Sequence, residues 1–421
     1  MKKKEFSLSH ILLVVFIFFI YARPYQFITA LEPLKLTKVS MILVLILSIF
    51  ERKKSFAIFK EKSYKYLVYI HLTAIALIPF SLWRGGSFNS YISGYLKLFV
   101  TFHVLMTLIN NKEKLFSIIN TIFISLTVIA VGMIKAYKAN QVVFSGGLKR
   151  VEGVATLASG DPNDMALALA MILPVIFYFL YTKKGFFKTS FYLATLLMTS
   201  ITIVFTGSRG GYLGVITALL IFFYNIYQKQ KQKFIFYSLC LSVIIIIFMP
   251  PEYKERFTSM FDKSDYNYSS DNKGSGRLAI WKRGLKTVIK KPYGTGFSTY
   301  TISEGNRKRD MGLTGAQQVA HNSYLQIAVE LGILGFILYL LLLKSAFDNL
   351  KIIIKHCEET NDKNNKILAI ALKSSLSAFL VASFFLSQAY YWNHYIFIAL
   401  IATFKNCIIQ DKIANRVEAE F

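Results

Sequence analysis

Residues 320–343 read AHNSYLQIAVELGILGFILYLLLL. From residue 322 onward the run is long and apolar enough to cross a bilayer. Its mouth carries His321 and Asn322, and Glu330 sits a third of the way in. A titratable ring at the entrance of an apolar run and a carboxylate inside it are costly unless they face a cavity or a partner. On an ideal helix, nine residues turn through 900°, so His321 and Glu330 point to opposite faces, roughly 13 Å apart along the axis. They form no dyad on an unbroken helix. Ser323, Gln326 and Glu330 share one face, which makes Glu330 an inter-helix contact rather than a reacting group. Gly332 and Gly335 are expected to let a neighbouring helix approach closely.

Runs of this kind recur from end to end. The chain has 421 residues, 54% hydrophobic and 17% charged, with mean hydropathy +0.45. A soluble domain carries about 25% charged residues. The expected fold class is an all-α polytopic membrane protein. About twelve transmembrane helices are expected, near 8–22, 36–50, 64–82, 91–109, 114–134, 163–181, 186–205, 211–227, 233–250, 322–343, 367–388 and 391–407. The formal charge of +26 does not point to nucleic acid, because the basic residues gather between the apolar runs, as membrane orientation produces. Cys240, Cys357 and Cys407 are widely spaced and make no zinc or disulfide signature. The start, MKKK followed by ILLVVFIFFIYA, has no small-residue cleavage site and reads as a retained first helix.

Lysine and arginine set the orientation. MKKK, 51–65, NNKEK (110–114), TKKGFFKT (182–189), QKQKQK (228–233) and 344–366 fall on one side, while WRGGSFNS (83–90) and TGSRGG (206–211) each hold one arginine. The lysine-rich side is expected to be cytoplasmic, with both termini inside. The chain then divides into helices 1–9 (1–250), a large outer loop (251–321) and helices 10–12 with a tail (322–421). Residues 251–320 hold 13 Lys/Arg against 7 Asp/Glu. Long loops are exempt from the charge rule, and a basic outward lid suits an anionic substrate. Within it, RLAIWKRGLKTVIKK (277–291) has Leu278, Trp281, Leu285 and Val288 at helical spacing. It is expected to lie along the outer membrane surface.

Four further stretches bear on chemistry. FTGSRGGYLG (205–214) flanks Arg209 with glycines that free the backbone. A guanidinium there, beside the N–H groups opening the next helix, makes an anion site, or else an interfacial arginine in a tight turn. GSGRLAIWKRG (274–284) offers Arg277 and Arg283, either able to bind phosphate bidentately, or else solvated on a helix face. In SGDPNDMALALA (159–170), Asp161 reads as an N-cap, Pro162 as the first helical residue and Asp164 as part of the first turn. YGTGFSTY (293–300) reads as a glycine-rich turn. His321 is a candidate base by its ordinary pKa of about 6.5, or a capping residue.

The order of these pieces resembles the bacterial O-antigen ligase and polymerase superfamily. DPND opens a span, GSRGG joins two spans, SGRLAIWKRG lies in one large loop, GTGFSTY stands near its end, and HNSYLQIAVELGILG leads the next span. The motifs lie between residues 159 and 335, and the first 150 residues are similar only as hydrophobic spans. The resemblance implies a multi-pass protein of the bacterial inner membrane with its active site on the periplasmic face. The implied reaction is metal-independent and cofactor-free transfer of a glycan from undecaprenyl diphosphate. The acceptor is a lipid A–core sugar in the ligase branch and another lipid-linked repeat unit in the polymerase branch. By the same resemblance, His321 is the catalytic residue, and Arg209 and Arg277 bind the diphosphate; Arg283, the other arginine read from the loop helix, is a further candidate diphosphate ligand. Asn163, Asn322, Tyr324 and Glu330 are supporting residues. A transporter of an anion or glycolipid is the alternative, although no internal repeat of the transporter kind is visible.

Overall fold

The structure is a computed structural model. It describes residues 7–419 apart from residue 27 and the stretches 51–57, 146–147, 152–160, 228–231, 233–250, 259–275 and 313–316. The helices are α1 Leu8–Tyr21, α2 Leu36–Phe50, α3 Lys62–Leu77, α4 Arg84–Leu108, α5 Lys112–Lys138, α6 Pro162–Thr182, α7 Phe186–Thr206 and α8 Arg209–Ile226. They continue with α9 Pro251–Thr258, α10 Arg277–Lys290, α11 Tyr300–Asp310, α12 Ser323–Glu330, α13 Gly332–Glu359, α14 Lys363–Ala382 and α15 Trp392–Ala419. One antiparallel hairpin pairs β1 Val143–Ser145 with β2 Leu148–Arg150.

Among the described residues, eight helices are long and apolar enough to cross a membrane, and α1 is apolar but shorter. The chain is therefore an all-α multi-pass membrane protein. The expected ninth span, 233–250, lies outside the described residues. The expected tenth span needs correction. Its helix breaks after Glu330, and the long apolar helix α13 starts at Gly332. Gly332 has φ +70°, and a Cβ there would lie 2.4 Å from the carbonyl oxygen of Pro292. Only glycine combines that backbone conformation with that closeness. Gly332 thus admits the 292–293 backbone and not a neighbouring helix. A Cβ on Gly335 would meet its own helix's Leu331. The helix also runs on to Glu359, through residues expected to form a cytoplasmic connection.

α6 is the most enclosed of the candidate spans, with 78% of its apolar window buried against 17% for Ala30–Phe50. It packs with α8 and α14 into a central trio. Small residues make this possible: a Cβ on Gly211 would stand 2.4 Å from that of Ala166, and one on Gly214 would stand 3.4 Å from that of Ala382 and 3.5 Å from that of Ala170. Close approach of small residues is how helices associate where the solvent is lipid.

The two ends of the bundle differ. At one end, Asn349 of α13 donates to Glu61 at 2.9 Å, and Lys405 of α15 pairs with the same carboxylate. At the other end lie the hairpin, the starts of α6 and α8, the end of α14, and the helices α10–α12. The connections that the charge pattern assigns to the outer face converge there.

Candidate active site

The first turn of α6 begins as its sequence dictates. Asp161 accepts the backbone N–H of Asn163 at 2.7 Å, and Pro162 fills the first helical position. Such a cap contributes about 1 kcal/mol. The side-chain amide of Asn163 also donates to Asp161 at 2.8 Å. Asn163 in turn accepts a hydrogen bond from the guanidinium of Arg150 at 2.8 Å, and Arg150 also donates to the carbonyl of Thr206 at 2.6 Å. Arg150 is buried, and so a cation ties the start of α6 to the end of α7. Its importance is invisible locally, because its partners lie 13 and 56 residues away.

Thr206 leads into the arginine turn. Gly207 adopts the left-handed conformation at φ +57° and ends α7. Ser208 caps α8, its hydroxyl accepting from the N–H of Gly211 at 3.2 Å. Arg209 is the first residue of α8, on the positive end of the helix dipole. Of the glycines around it, only Gly207 serves backbone freedom, while Gly210 and Gly211 serve packing. A Cβ on Gly210 would stand 3.3 Å from the side chain of Leu386.

That leucine belongs to a clasp, the segment 383–391 between α14 and α15, which holds the histidine. The backbone N–H of His321 donates to the hydroxyl of Ser387 at 2.8 Å. Ser323 donates from its hydroxyl to the carbonyl of Leu386 at 2.6 Å and from its N–H to that of Ser383 at 2.9 Å. Gln388 reaches the other way and donates to Asp164 of α6. His321 itself has φ +47°, a conformation rare outside glycine and costing about 1–3 kcal/mol. The clasp over-determines it. Asn322 caps α12, accepting from the N–H of Leu325 at 2.9 Å. Tyr324 donates to the carbonyl of Leu380 at 2.8 Å. Both supporting residues therefore fix the helix that carries the histidine.

His321 is held well below its ordinary value, at about 4. Burial is the main cause, the Arg277 guanidinium adds to it, and Asp161 opposes it. The imidazole is therefore neutral at working pH, able to accept a proton, with a cation and a carboxylate as electrostatic neighbours. Its expected pKa near neutrality is corrected downward accordingly.

Arg277 opens α10, the helix expected over 277–291. Its inner face is Ile280, Arg283, Gly284 and Thr287, while Leu278 and Leu285 are exposed. Trp281 sits between, donating its indole N–H to the carbonyl of Ala320 at 3.0 Å and packing edge-on to Phe384. A small satellite core of Ile280, Tyr300, Ala320, Leu325 and Val329 joins α10 to α12. Arg277 and His321 are thus mounted on one packed unit. Arg283 belongs elsewhere. Its guanidinium is buried and pairs with Glu304 of α11 at 2.6 Å. In this arrangement the Arg283 guanidinium is committed to Glu304.

Glu330 holds a loop. Its carboxylate accepts the N–H of Tyr300 at 2.9 Å and that of Ser298 at 3.2 Å. The GTG turn is also bonded to the end of α12, with Thr295 N–H on the carbonyl of Val329 and Gly296 N–H on that of Glu330. The glycines of 293–300 therefore do more than turn. A Cβ on Gly294 would stand 2.6 Å from the carbonyl oxygen of Glu330, and one on Gly296 would stand 2.2 Å from Ser81 Oγ. Among the described residues no group of three or more His, Cys, Asp or Glu stands ready for a metal ion.

The site thus gathers Arg209, Arg277, His321 and Asp161 at one end of the bundle. Residues 193–340 match the O-antigen ligase family. The match spans the arginine turn, the large loop and the histidine, and supports the O-antigen ligase and polymerase superfamily read from the motifs. An uncharacterized protein of Haemophilus influenzae is 25% identical over 214 residues, 47% of this chain and 53% of the relative. The chain spans about half the length of that relative.

Proposed function

We propose that the protein transfers a glycan from undecaprenyl diphosphate to an acceptor hydroxyl at the periplasmic face, with both termini in the cytoplasm. The observation that carries this reading is that His321, half-buried, stands on a segment clasped by residues 383–391, which also pack on the start of α8 beside Arg209. In the reaction, the acceptor oxygen attacks the anomeric carbon of the donor. The bond from that carbon to the phosphate oxygen breaks, and the diphosphate leaves with the electron pair. Arg209 and Arg277 stabilise the charge gathering on it. The proton of the attacking hydroxyl goes to the neutral ring of His321, or is oriented by it. Asp161 stabilises the imidazolium that forms. An incoming diphosphate offsets the field of Arg277, so His321 becomes a better base when the donor is bound. Glu330 and Asn163 position backbone and touch no reacting atom.

Purified protein in lipid nanodiscs, given a glycan on undecaprenyl diphosphate, tests the reading. Core lipid and a second donor molecule are offered separately as acceptors. Product with core lipid identifies a ligase, and a doubled glycan identifies a polymerase. Passage of the glycolipid across a sealed bilayer with no new glycosidic bond would instead establish the transporter.

A further inference from the structure

A second basic cleft lies at the far end of α10, away from Arg277. Thirteen residues of helix separate Arg277 from Lys290, roughly 20 Å along the axis. The cleft has a volume of about 420 Å³ and is lined by Lys290, Lys291, Arg307 and Arg309, with Asp310 as its acidic residue and Leu82 as one wall. This volume suits a small headgroup, since ligand pockets run from about 300 to 1,000 Å³. None of the four cations forms an ion pair among the described residues. Two carboxylates stand three residues from Arg307: Glu304 is already committed, accepting from Arg283 with Lys308 4.0 Å from it, and Asp310 lines the cleft. Among the described residues the cleft therefore sets four cations against one carboxylate.

The arginine side chain at its centre is held in place. Arg307 donates to the hydroxyl of Thr287 at 3.2 Å and to the carbonyl of Lys286 at 2.8 Å. A pre-set guanidinium fork favours phosphate, which it binds bidentately. The surroundings are those of a membrane surface. Trp83 and Phe80, beside the Leu82 wall, are exposed, as are Tyr293 and the α10 residues Leu285 and Ile289. Exposed aromatic and aliphatic side chains flanking cations mark headgroup depth.

We infer that this cleft binds the phosphate headgroup of a second membrane-anchored lipid, and that this lipid is the acceptor's own anchor. The acceptor role rests on the glycosyl-transfer reading above. Two phosphate sites on one helix would hold donor and acceptor lipids side by side, with the acceptor glycan spanning the interval to His321.

The test has a binding arm and a turnover arm. In phosphatidylcholine nanodiscs, dioleoyl phosphatidic acid is the lipid probe and inorganic phosphate the soluble one. The variant Lys290→Gln/Arg309→Gln removes two exposed charges, and Lys290→Arg/Arg309→Lys keeps them. The expected result is phosphatidic acid binding weakened about tenfold or more in the first variant, near wild type in the second, and not displaced by millimolar inorganic phosphate. Unchanged binding in the first variant, or displacement by inorganic phosphate, overturns the lipid site. In turnover, the first variant should raise KM for the acceptor with kcat and donor KM near wild type. A raised donor KM instead overturns the acceptor assignment. If wild type transfers no glycan to any acceptor, the transfer reading and the acceptor role fail together, while the binding arm still decides the cleft.

Discussion

The backbone N–H of His321 donates to the hydroxyl of Ser387 at 2.8 Å, across 66 residues of chain. This bond joins the entrance of one helix to the turn between the last two, and it pins a residue whose φ is +47°. Ser387→Ala removes the acceptor and leaves the strain. About 1 kcal/mol of hydrogen bonding is lost. The larger effect is on geometry, since a misplacement of 1 Å can cost about a hundredfold in rate. We expect kcat to fall by about 10–100-fold with donor binding little changed, read by steady-state kinetics at equal folded protein. An unchanged kcat would show that the clasp does not position the ring.

Arg209→Lys keeps the charge at the start of α8 and loses the planar fork. Most activity should be lost with the fold intact, and Arg209→Ala should lose more. The measurement is donor binding and turnover at matched protein level. Full activity in Arg209→Ala would make the turn merely structural.

Arg283→Gln should behave in the opposite way to Arg209→Lys. It leaves Glu304 buried without its partner, a loss of about 3–5 kcal/mol. A lower melting temperature should therefore accompany whatever activity is lost. Arg283→Gln/Glu304→Gln should recover much of the stability. A stable but inactive Arg283→Gln would return Arg283 to the substrate site.

Much of this was legible in the chain. The Asp161 cap, the helix at 277–290 and the apolar spans follow from local chemistry: a short acceptor before a proline, a 3.6-residue period, and length. The break at Gly332 was not legible, because what forbids a side chain there is the carbonyl of Pro292, forty residues earlier. Arg150 was missed for the same kind of reason. Its partners Asn163 and Thr206 come together only when α6 and α7 pack. Arg283 looked like Arg277 because the carboxylate that claims it, Glu304, stands on another helix. The clasp carries no motif at all, since Ser383, Ser387 and Gln388 act through hydrogen bonds to a segment some sixty residues before them.

The pH profile follows from the charges around the ring. In the free protein His321 titrates near 4, from burial and Arg277. The acid limb of kcat/KM, which reports the free enzyme, should therefore lie near pH 4 and not near 6.5. A bound diphosphate opposes Arg277, so the acid limb of kcat, which reports the complex, should lie higher. Arg277→Gln should move the limb of kcat/KM upward as well. Coincident limbs for kcat and kcat/KM would mean that no anion sits beside the ring during turnover.

In the proposed reaction His321 takes the proton in a site that Glu330 only supports. The most direct measurement is turnover against pH for wild type, His321→Ala and Glu330→Gln at equal folded protein. His321→Ala should keep donor binding, lose roughly 10²–10⁴ in turnover, and lose the acid limb. Glu330→Gln weakens the hold on the N–H groups of Ser298 and Tyr300, so its loss should track a lower melting temperature. A His321→Ala protein that turns over at the wild-type rate, beside a Glu330→Gln protein that is stably folded and inactive, would contradict the assignment.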